Sequence, residues 1–212
     1  MAARGSGLKS KGVRRILTPM NHLAQARKVF DIELAALKAV RAQLDAAFDR
    51  AIETMVEALR RHGKIVVVGI GKSGNVGQKI AATFTSTGST SVVLNSVDAL
   101  HGDMGIINDG DVILALSYSG ESEELLNLLP ALKRFSVKII TLTGGVKSAL
   151  ARHSDVVLNV KVPKEACPFN LAPTASSRNR PRWRSPARLR TGRKCRCGTI
   201  PCGAAGTSRW LN

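Results

Sequence analysis

The spacing of the apolar positions changes near residue 63, and this change separates two kinds of predicted element. From Pro19 to His62 large apolar residues recur every three, four or seven positions, as on one face of an α-helix. The residues of this stripe are Leu23, Phe30, Leu34, Leu37, Leu44 and Phe48. We predict one long helix and a second from about Asp45, with Gly63 as the stop. Such a stripe usually packs against the domain or against a partner subunit.

After residue 63, short β-branched runs alternate with helical patterns. The predicted strands are 65–68, 91–94, 112–116, 137–142 and 156–160, and the predicted helices are about 74–86, 97–104, 121–134 and 147–152. This alternation predicts an α/β fold with a five-stranded, mainly parallel sheet, helices on both faces and two helices in front. Ligands of such sheets bind at the carboxyl ends of the strands, where the strand order reverses.

Two of these strands run into turns rich in glycine and serine. Gly69-Ile-Gly-Lys-Ser-Gly74 follows the first strand, and Ser117-Tyr-Ser-Gly-Glu-Ser122 follows the third. Backbone amides, the Ser73 hydroxyl and the Lys72 ammonium can together bind a phosphorylated or polyhydroxyl ligand. The second turn adds the hydroxyls of Ser117, Ser119 and Ser122. One such serine is typical of a capped helix, but three beside a second anion-binding turn favour a sugar phosphate.

Two nucleotide-binding interpretations of the first turn fail. Its Gly-x-Gly-x-x-Gly pattern matches dinucleotide-binding proteins, but the second strand ends in Leu94-Asn95-Ser96, without the acid that holds a ribose. A nucleotide P-loop requires an opening glycine where this chain has Val66 and Val67.

The net charge of +17 lies at the two ends of the chain. Residues 1–15 carry 5 Lys and Arg, residues 178–212 carry 10, and residues 16–177 carry 17 against 15 acids. The basic ends show no helical or strand periodicity, so we expect no nucleic-acid partner. No apolar run reaches the roughly 20 residues that cross a bilayer, so we expect no membrane partner and a cytoplasmic protein.

The four cysteines indicate neither a disulfide framework nor a metal site. Cys167 stands alone, and the other three, Cys195, Cys197 and Cys202, lack paired C-x-x-C spacing and a nearby histidine.

Several further motifs occur in order with the two turns, and together they make a resemblance specific. They are Ala81-Ala-Thr-Phe-Thr-Ser-Thr-Gly88, His101-Gly-Asp-Met-Gly105, Val162-Pro-Lys-Glu-Ala-Cys-Pro168 and Leu171-Ala-Pro-Thr174. From about Met20 to Ser177 the chain resembles the sugar isomerase (SIS) domain of the arabinose 5-phosphate isomerase family. The resemblance implies an SIS-type, flavodoxin-like three-layer sandwich over residues 19–177, after a basic extension over 1–18 that we expect to be disordered.

The resemblance also implies a function. Members of this family are aldose–ketose isomerases that interconvert D-ribulose 5-phosphate and D-arabinose 5-phosphate through an enediol, without a cofactor, on the route to Kdo and lipopolysaccharide. They are homotetramers with sites at subunit contacts. The alternative interpretation is a regulatory SIS domain that binds a sugar phosphate without catalysing a reaction.

Ten residues match the family's functional positions. By resemblance Lys72, Glu124 and Glu165 are catalytic, and the substrate-binding residues are Ser73, Gly88, Ser89, His101, Ser117, Ser119 and Ser122. Spacing alone favours an ordinary surface role for each charged residue. We predict Glu165 as the proton-abstracting base, because partial burial after the last strand could raise its pKa toward neutrality.

The chain departs from the family at two places. Asn95-Ser-Val-Asp98 stands where the family commonly has His-Pro-Gly-Glu, so we predict no zinc there. After Ser177 an Arg- and Cys-rich segment, 178–212, replaces the family's apolar helix and histidine turn, and we expect no CBS domains. This segment is either a disordered tail or a frameshifted sequence. The abrupt change of composition favours the frameshift. The presence of this segment puts the activity of the chain in question.

Overall fold

Five strands form one sheet in the structure, a computed structural model that describes residues 21–100, 102–167 and 173–178. The strands are β1 (Ile65–Gly69), β2 (Ser91–Leu94), β3 (Val112–Leu116), β4 (Lys138–Thr143) and β5 (Val156–Asn159). All pairs are parallel, in the order β2-β1-β3-β4-β5. The predicted fold is confirmed. The order reverses between β1 and β3, so ligands are expected where these two strands end.

Seven helices accompany the sheet in the described part of the chain. They are α1 (His22–Ala42), α2 (Ala46–Arg60), α3 (Gly71–Ser86), α4 (Ser96–Leu100), α5 (Glu123–Leu132), α6 (Ala149–Arg152) and α7 (Ala175–Arg178), with a 3-10 turn at Asp103–Ile106. The predicted helix over 97–104 is two short pieces instead, because Gly102 has a φ of 133°, which no α-helix contains. The sequence analysis did not predict α7.

Helices cover both faces of the sheet. Val67, Leu114 and Ile140 are neighbours across three strands and belong to the core under α2 and α3. Ile113 and Ile139, one position earlier on their strands, belong to the core under α4, α5 and α6. Successive strand side chains point to opposite faces, and both faces are buried. This double burial explains why the strands are almost continuously apolar.

The two predicted N-terminal helices are separated at Asp45, as expected. The Asp45 carboxylate accepts a hydrogen bond from the Ala47 amide at 2.8 Å and caps α2. At the other end, the Gly63 amide donates to the Ala58 carbonyl at 2.9 Å after His62 has turned into the left-handed region, with a φ of 65°.

Most of the apolar stripe of the N-terminal segment does not pack against its own domain. Five of its six residues are 46–62% exposed: Leu23, Phe30, Leu34, Leu37 and Leu44. Phe48 alone of the six packs, partly buried, against the core. The buried residues of α1 are Ala36 and Val40, which pack against Val162 and Ala175. The periodicity thus identified residues that lie on one helical face, and most of this face is exposed to solvent in the single chain.

A buried ion pair fixes the amino edge of the sheet, where the strands begin. The Asp111 carboxylate accepts hydrogen bonds from the Lys64 ammonium at 2.6 Å, the Lys64 amide at 2.9 Å and the Asn108 amide at 2.8 Å. Asp111 is 1% exposed, so this charge is stable only because its oxygens are bonded.

None of the helices within 21–100, 102–167 and 173–178 is both long and apolar enough to span a membrane.

Candidate functional site

A hollow of about 440 Å³ lies at the carboxyl edge of the sheet, where β1 and β3 end. Its lining residues are Ile70, Ser73, Leu116, Ser117, Tyr118, Ser119, Ser122, Val162, Pro163, Lys164, Glu165, Pro173 and Ser176. The two turns singled out in the sequence therefore meet at one cavity, beside the point where the strand order reverses. Five of the ten candidate site residues line it.

The first turn is tight because two of its glycines approach each other closely. A Cβ on Gly74 would lie 2.8 Å from the Gly69 carbonyl oxygen, so a larger residue would force β1 and α3 apart. The amides of Ser73 and Gly74 donate to the Ile70 carbonyl at 3.0 and 3.2 Å. These two predicted anion donors are therefore already used within the turn, and the turn contributes Ile70 and Ser73 to the lining.

The second turn, residues 117–122, presents hydroxyl groups to the hollow, and we call it the serine loop. Buried Ser117 shapes it, since its Oγ accepts from the Gly120 amide at 3.0 Å and lies 3.0 Å from Oγ of Ser122. Exposed Ser119 accepts from the Glu121 amide at 3.2 Å. A serine hydroxyl carries one hydrogen and two lone pairs. Ser119 therefore keeps its hydrogen for an acceptor, and the Ser117 and Ser122 pair keeps one between them.

Tyr118 joins the serine loop to the loop after β5. Its hydroxyl oxygen accepts a hydrogen bond from the Val162 amide at 3.1 Å, and its ring packs against the cluster that holds α1 and α7. Its carbonyl oxygen accepts from the Gly144 amide at 2.9 Å. The sequence analysis quoted Tyr118 within a motif but gave it no role, because these contacts join distant segments.

Glu165 is a buried carboxylate at the wall of the hollow. Oε2 accepts from the Thr174 amide at 2.8 Å, the Thr174 hydroxyl at 2.9 Å and the Ser176 amide at 3.2 Å. Burial alone would raise the pKa of this carboxyl, but the hydrogen bonds from Ser176 and Thr174 outweigh it, and the pKa of Glu165 lies below its ordinary value. The predicted shift toward neutrality is wrong. Local sequence could not show that residues nine and eleven positions away donate to this side chain.

Two of the other candidates lie beside the hollow, and two lie far from it. Lys72 and Glu124 are exposed in the first turns of α3 and α5 and do not line the cavity. Gly88 and Ser89 follow α3 and precede β2, whose first residue pairs with the start of β1. They therefore lie at the amino edge, and a contact between them and a ligand in this hollow requires another copy of the chain. His101 lies outside the described residues.

No group of three or more His, Cys, Asp or Glu within the described ranges is placed to hold a metal ion. The absence of zinc stays a prediction.

Comparison with known proteins agrees with the observed fold. The SIS domain family model matches residues 58–179, more than half of the chain. The chain belongs to the SIS domain family. The structure of E. coli CFT073 c3406 in complex with arabinose 5-phosphate is similar, with a TM-score of 0.72 and 33% identity, over 77% of this chain and 85% of that chain.

Two similar sequences point to one activity within this family. The arabinose 5-phosphate isomerase KdsD of Francisella tularensis subsp. tularensis (strain SCHU S4 / Schu 4) is 43% identical over 157 residues, which are 74% of this chain and 48% of that protein. KdsD of Escherichia coli (strain K12) is 46% identical over 151 residues, 71% of this chain and 45% of that protein. The resemblance seen in the motifs is confirmed. The chain spans about half the length of these curated relatives.

Proposed function

We propose that this protein is an aldose–ketose isomerase that interconverts D-ribulose 5-phosphate and D-arabinose 5-phosphate. The observation that carries the proposal is the shared hollow, which Ser73 and the serine loop line together and where the serine loop offers hydroxyl donors to a ligand. Relatives named arabinose 5-phosphate isomerase and a similar structure in complex with arabinose 5-phosphate support this choice of substrate. The proposal extends to supplying Kdo and lipopolysaccharide synthesis in the cytoplasm, as the resemblance implies.

The hydroxyl donors favour the phosphate end of the substrate at the serine loop. Ser119 has a hydroxyl hydrogen available, and hydrogen bonds to a charged oxygen are about twice as strong as neutral ones. Lys164 adds a cation to the lining. A phosphate held there leaves the sugar chain to extend past the ends of β1 and β3.

The reaction is balanced by proton transfers alone. From the aldose, a base removes the proton on C2, O1 gains a proton, O2 loses one and C1 receives one, through an enediol. This needs one group near the carbons and one near the two oxygens. Lys72 and Glu124, beside the hollow in the first turns of their helices, are the proposed acid–base groups.

Turnover and binding measured together test this function. The purified chain is incubated with ribulose 5-phosphate, and arabinose 5-phosphate is detected by chromatography. We expect product from the chain, and much less from Lys72→Met, which keeps the length of the stem without its ammonium. Binding of arabinose 5-phosphate without turnover would instead favour a regulatory SIS domain. Absence of both would contradict the proposal.

We also propose that the chain assembles with copies of itself through α1, as the family's tetramers imply. Leu23, Phe30 and Leu37 of α1 repeat every seven residues and are all exposed in the single chain. That spacing suits helix-to-helix packing. Phe30→Glu should lower the mass measured by analytical ultracentrifugation. Val146→Glu, at an exposed apolar residue outside the stripe, is the control. Unchanged mass in Phe30→Glu would contradict this interface.

A further inference from the structure

The carboxylate of Glu165 closes a hydrogen-bonded ring across the loop that follows β5. The Thr174 hydroxyl accepts from the Ala166 amide at 2.7 Å and donates to Glu165 at 2.9 Å. The Thr174 amide donates to the same carboxylate oxygen at 2.8 Å. One threonine thus connects to both ends of the dipeptide Glu165-Ala166, and the ring joins this loop to the start of α7.

The same carboxylate also bonds to the first turn of α7. The Ser176 amide lies 3.3 Å from Oε1 and 3.2 Å from Oε2. Amides at a helix start lack partners within the helix, and a carboxylate is a good acceptor for them. Glu165 therefore acts as a cap for α7 that comes from a distant part of the chain.

This cap sets one wall of the hollow. Pro173, which precedes the capped turn, and Ser176, which lies in it, line the cavity together with Glu165. Ala175 between them is fully buried against α1 and Val162. If the carboxylate released these donors, this wall would lose its attachment to the loop after β5.

A general base needs an oxygen whose lone pair can reach the substrate proton, and a pKa near the pH of the reaction. Here both carboxylate oxygens accept amide hydrogens, and donors of this kind stabilise the anion and weaken it as a base.

We propose that Glu165 is a positioning residue, whose carboxylate holds the start of α7 and the adjacent wall of the hollow in place. It is then not the base that takes the substrate proton. The inference rests on the proposed isomerase function only for its effect on turnover.

The first test needs no turnover. Carbon-13 NMR of glutamate-labelled chain, with the Glu165 signal assigned by its loss in Glu165→Gln, follows the titration of this carboxyl. We expect a midpoint below the ordinary glutamate value of about 4.3, and an upward shift of that midpoint in Thr174→Val, which removes the hydroxyl donor. Thr174→Ser keeps the hydroxyl and should keep the wild-type midpoint. A wild-type midpoint near neutrality would overturn the proposal.

The second test separates the two roles in turnover. A positioning role predicts that Glu165→Gln and Thr174→Val reduce kcat/KM to a similar extent, by roughly tenfold as for a lost charged hydrogen bond, and that the double variant is little worse. A base predicts near-complete loss of kcat in Glu165→Gln and a mild effect of Thr174→Val, and this result would also overturn the proposal. A wild-type chain without turnover would count against the proposed function, and the NMR titration would still decide the role of Glu165.

Discussion

Two hollows in the described part of the chain lie at opposite edges of one sheet, and the larger is not the candidate site. At the amino edge a hollow of about 670 Å³ lies between α2 and the starts of β3, β4 and β5. Four of its charged groups already pair within the protein, Arg61 with Glu57 at 2.7 Å and Lys138 with Asp155 at 2.9 Å. At the carboxyl edge, Ser119 and its neighbours keep hydroxyl hydrogens for an acceptor. The group of serine hydroxyls at the carboxyl edge, rather than the volume of the hollow, marks the candidate site.

The largest expected effect comes from the amino edge and concerns stability. Asp111→Ala leaves the Lys64 ammonium and two amides without their acceptor, so we expect a loss of about 3 kcal/mol in the free energy of unfolding, measured by urea denaturation. The control is Asp109→Ala, because Asp109 is exposed and accepts a hydrogen bond from the Ser136 amide at 2.7 Å. This variant should lower the free energy of unfolding by about 1 kcal/mol. Equal losses in the two variants would contradict a structural role specific to Asp111.

The next effect comes from the carboxyl edge and concerns binding. Ser119→Ala should weaken the binding of arabinose 5-phosphate about tenfold, or about 1.4 kcal/mol, with little change in stability because Ser119 is exposed. Isothermal calorimetry measures the affinity. Ser136→Ala, at an exposed serine that lines the amino-edge hollow, should leave affinity unchanged. Loss of affinity in Ser136→Ala, with none in Ser119→Ala, would instead indicate that the ligand binds in the amino-edge hollow.

The smallest effect is the pH dependence of stability that Glu165 contributes. Hydrogen bonds lower its folded pKa in spite of burial, so its contribution is complete above the unfolded value of about 4.3 and is lost as the pH falls through the lower folded value. We expect the free energy of unfolding to fall less steeply below about pH 4 in Glu165→Gln than in wild type.

Asp155 contributes equally to the pH dependence of stability in wild type and in Glu165→Gln. Burial raises the pKa of this carboxyl, but hydrogen bonds from the Ile139 amide and the Lys138 ammonium outweigh it and lower the pKa. Glu123→Gln, at an exposed residue in the first turn of α5, is the control. Identical pH profiles for wild type and Glu165→Gln would contradict the hydrogen bonds seen at Glu165.

Local patterns predicted the sheet and the two turns because their causes are local. The apolar runs around Val67 and Leu114 reflect strands that are buried on both faces. The glycines beside Ser73 reflect a tight turn formed by residues that are adjacent in the sequence. The position of Gly88 at the amino edge was also within reach of the sequence, since a helix that connects two parallel strands must return to the edge where strands begin.

Two features could not be predicted, because they depend on segments far apart in the chain. The low pKa of Glu165 comes from donors at Thr174 and Ser176, which local spacing does not place. The open stripe around Phe30 is the other case, since periodicity tells which residues share a face but not whether anything covers that face.

The central claim is that the carboxyl-edge hollow binds a sugar phosphate, and an amide NMR titration of the nitrogen-15-labelled chain with arabinose 5-phosphate tests it most directly. The account predicts saturable shifts of the amide signals of residues 117–122, Ser73 and Glu165, with the signals of Arg61 and Asp111 unchanged. Shifts confined to the amino edge, or no shifts at millimolar ligand, would contradict it.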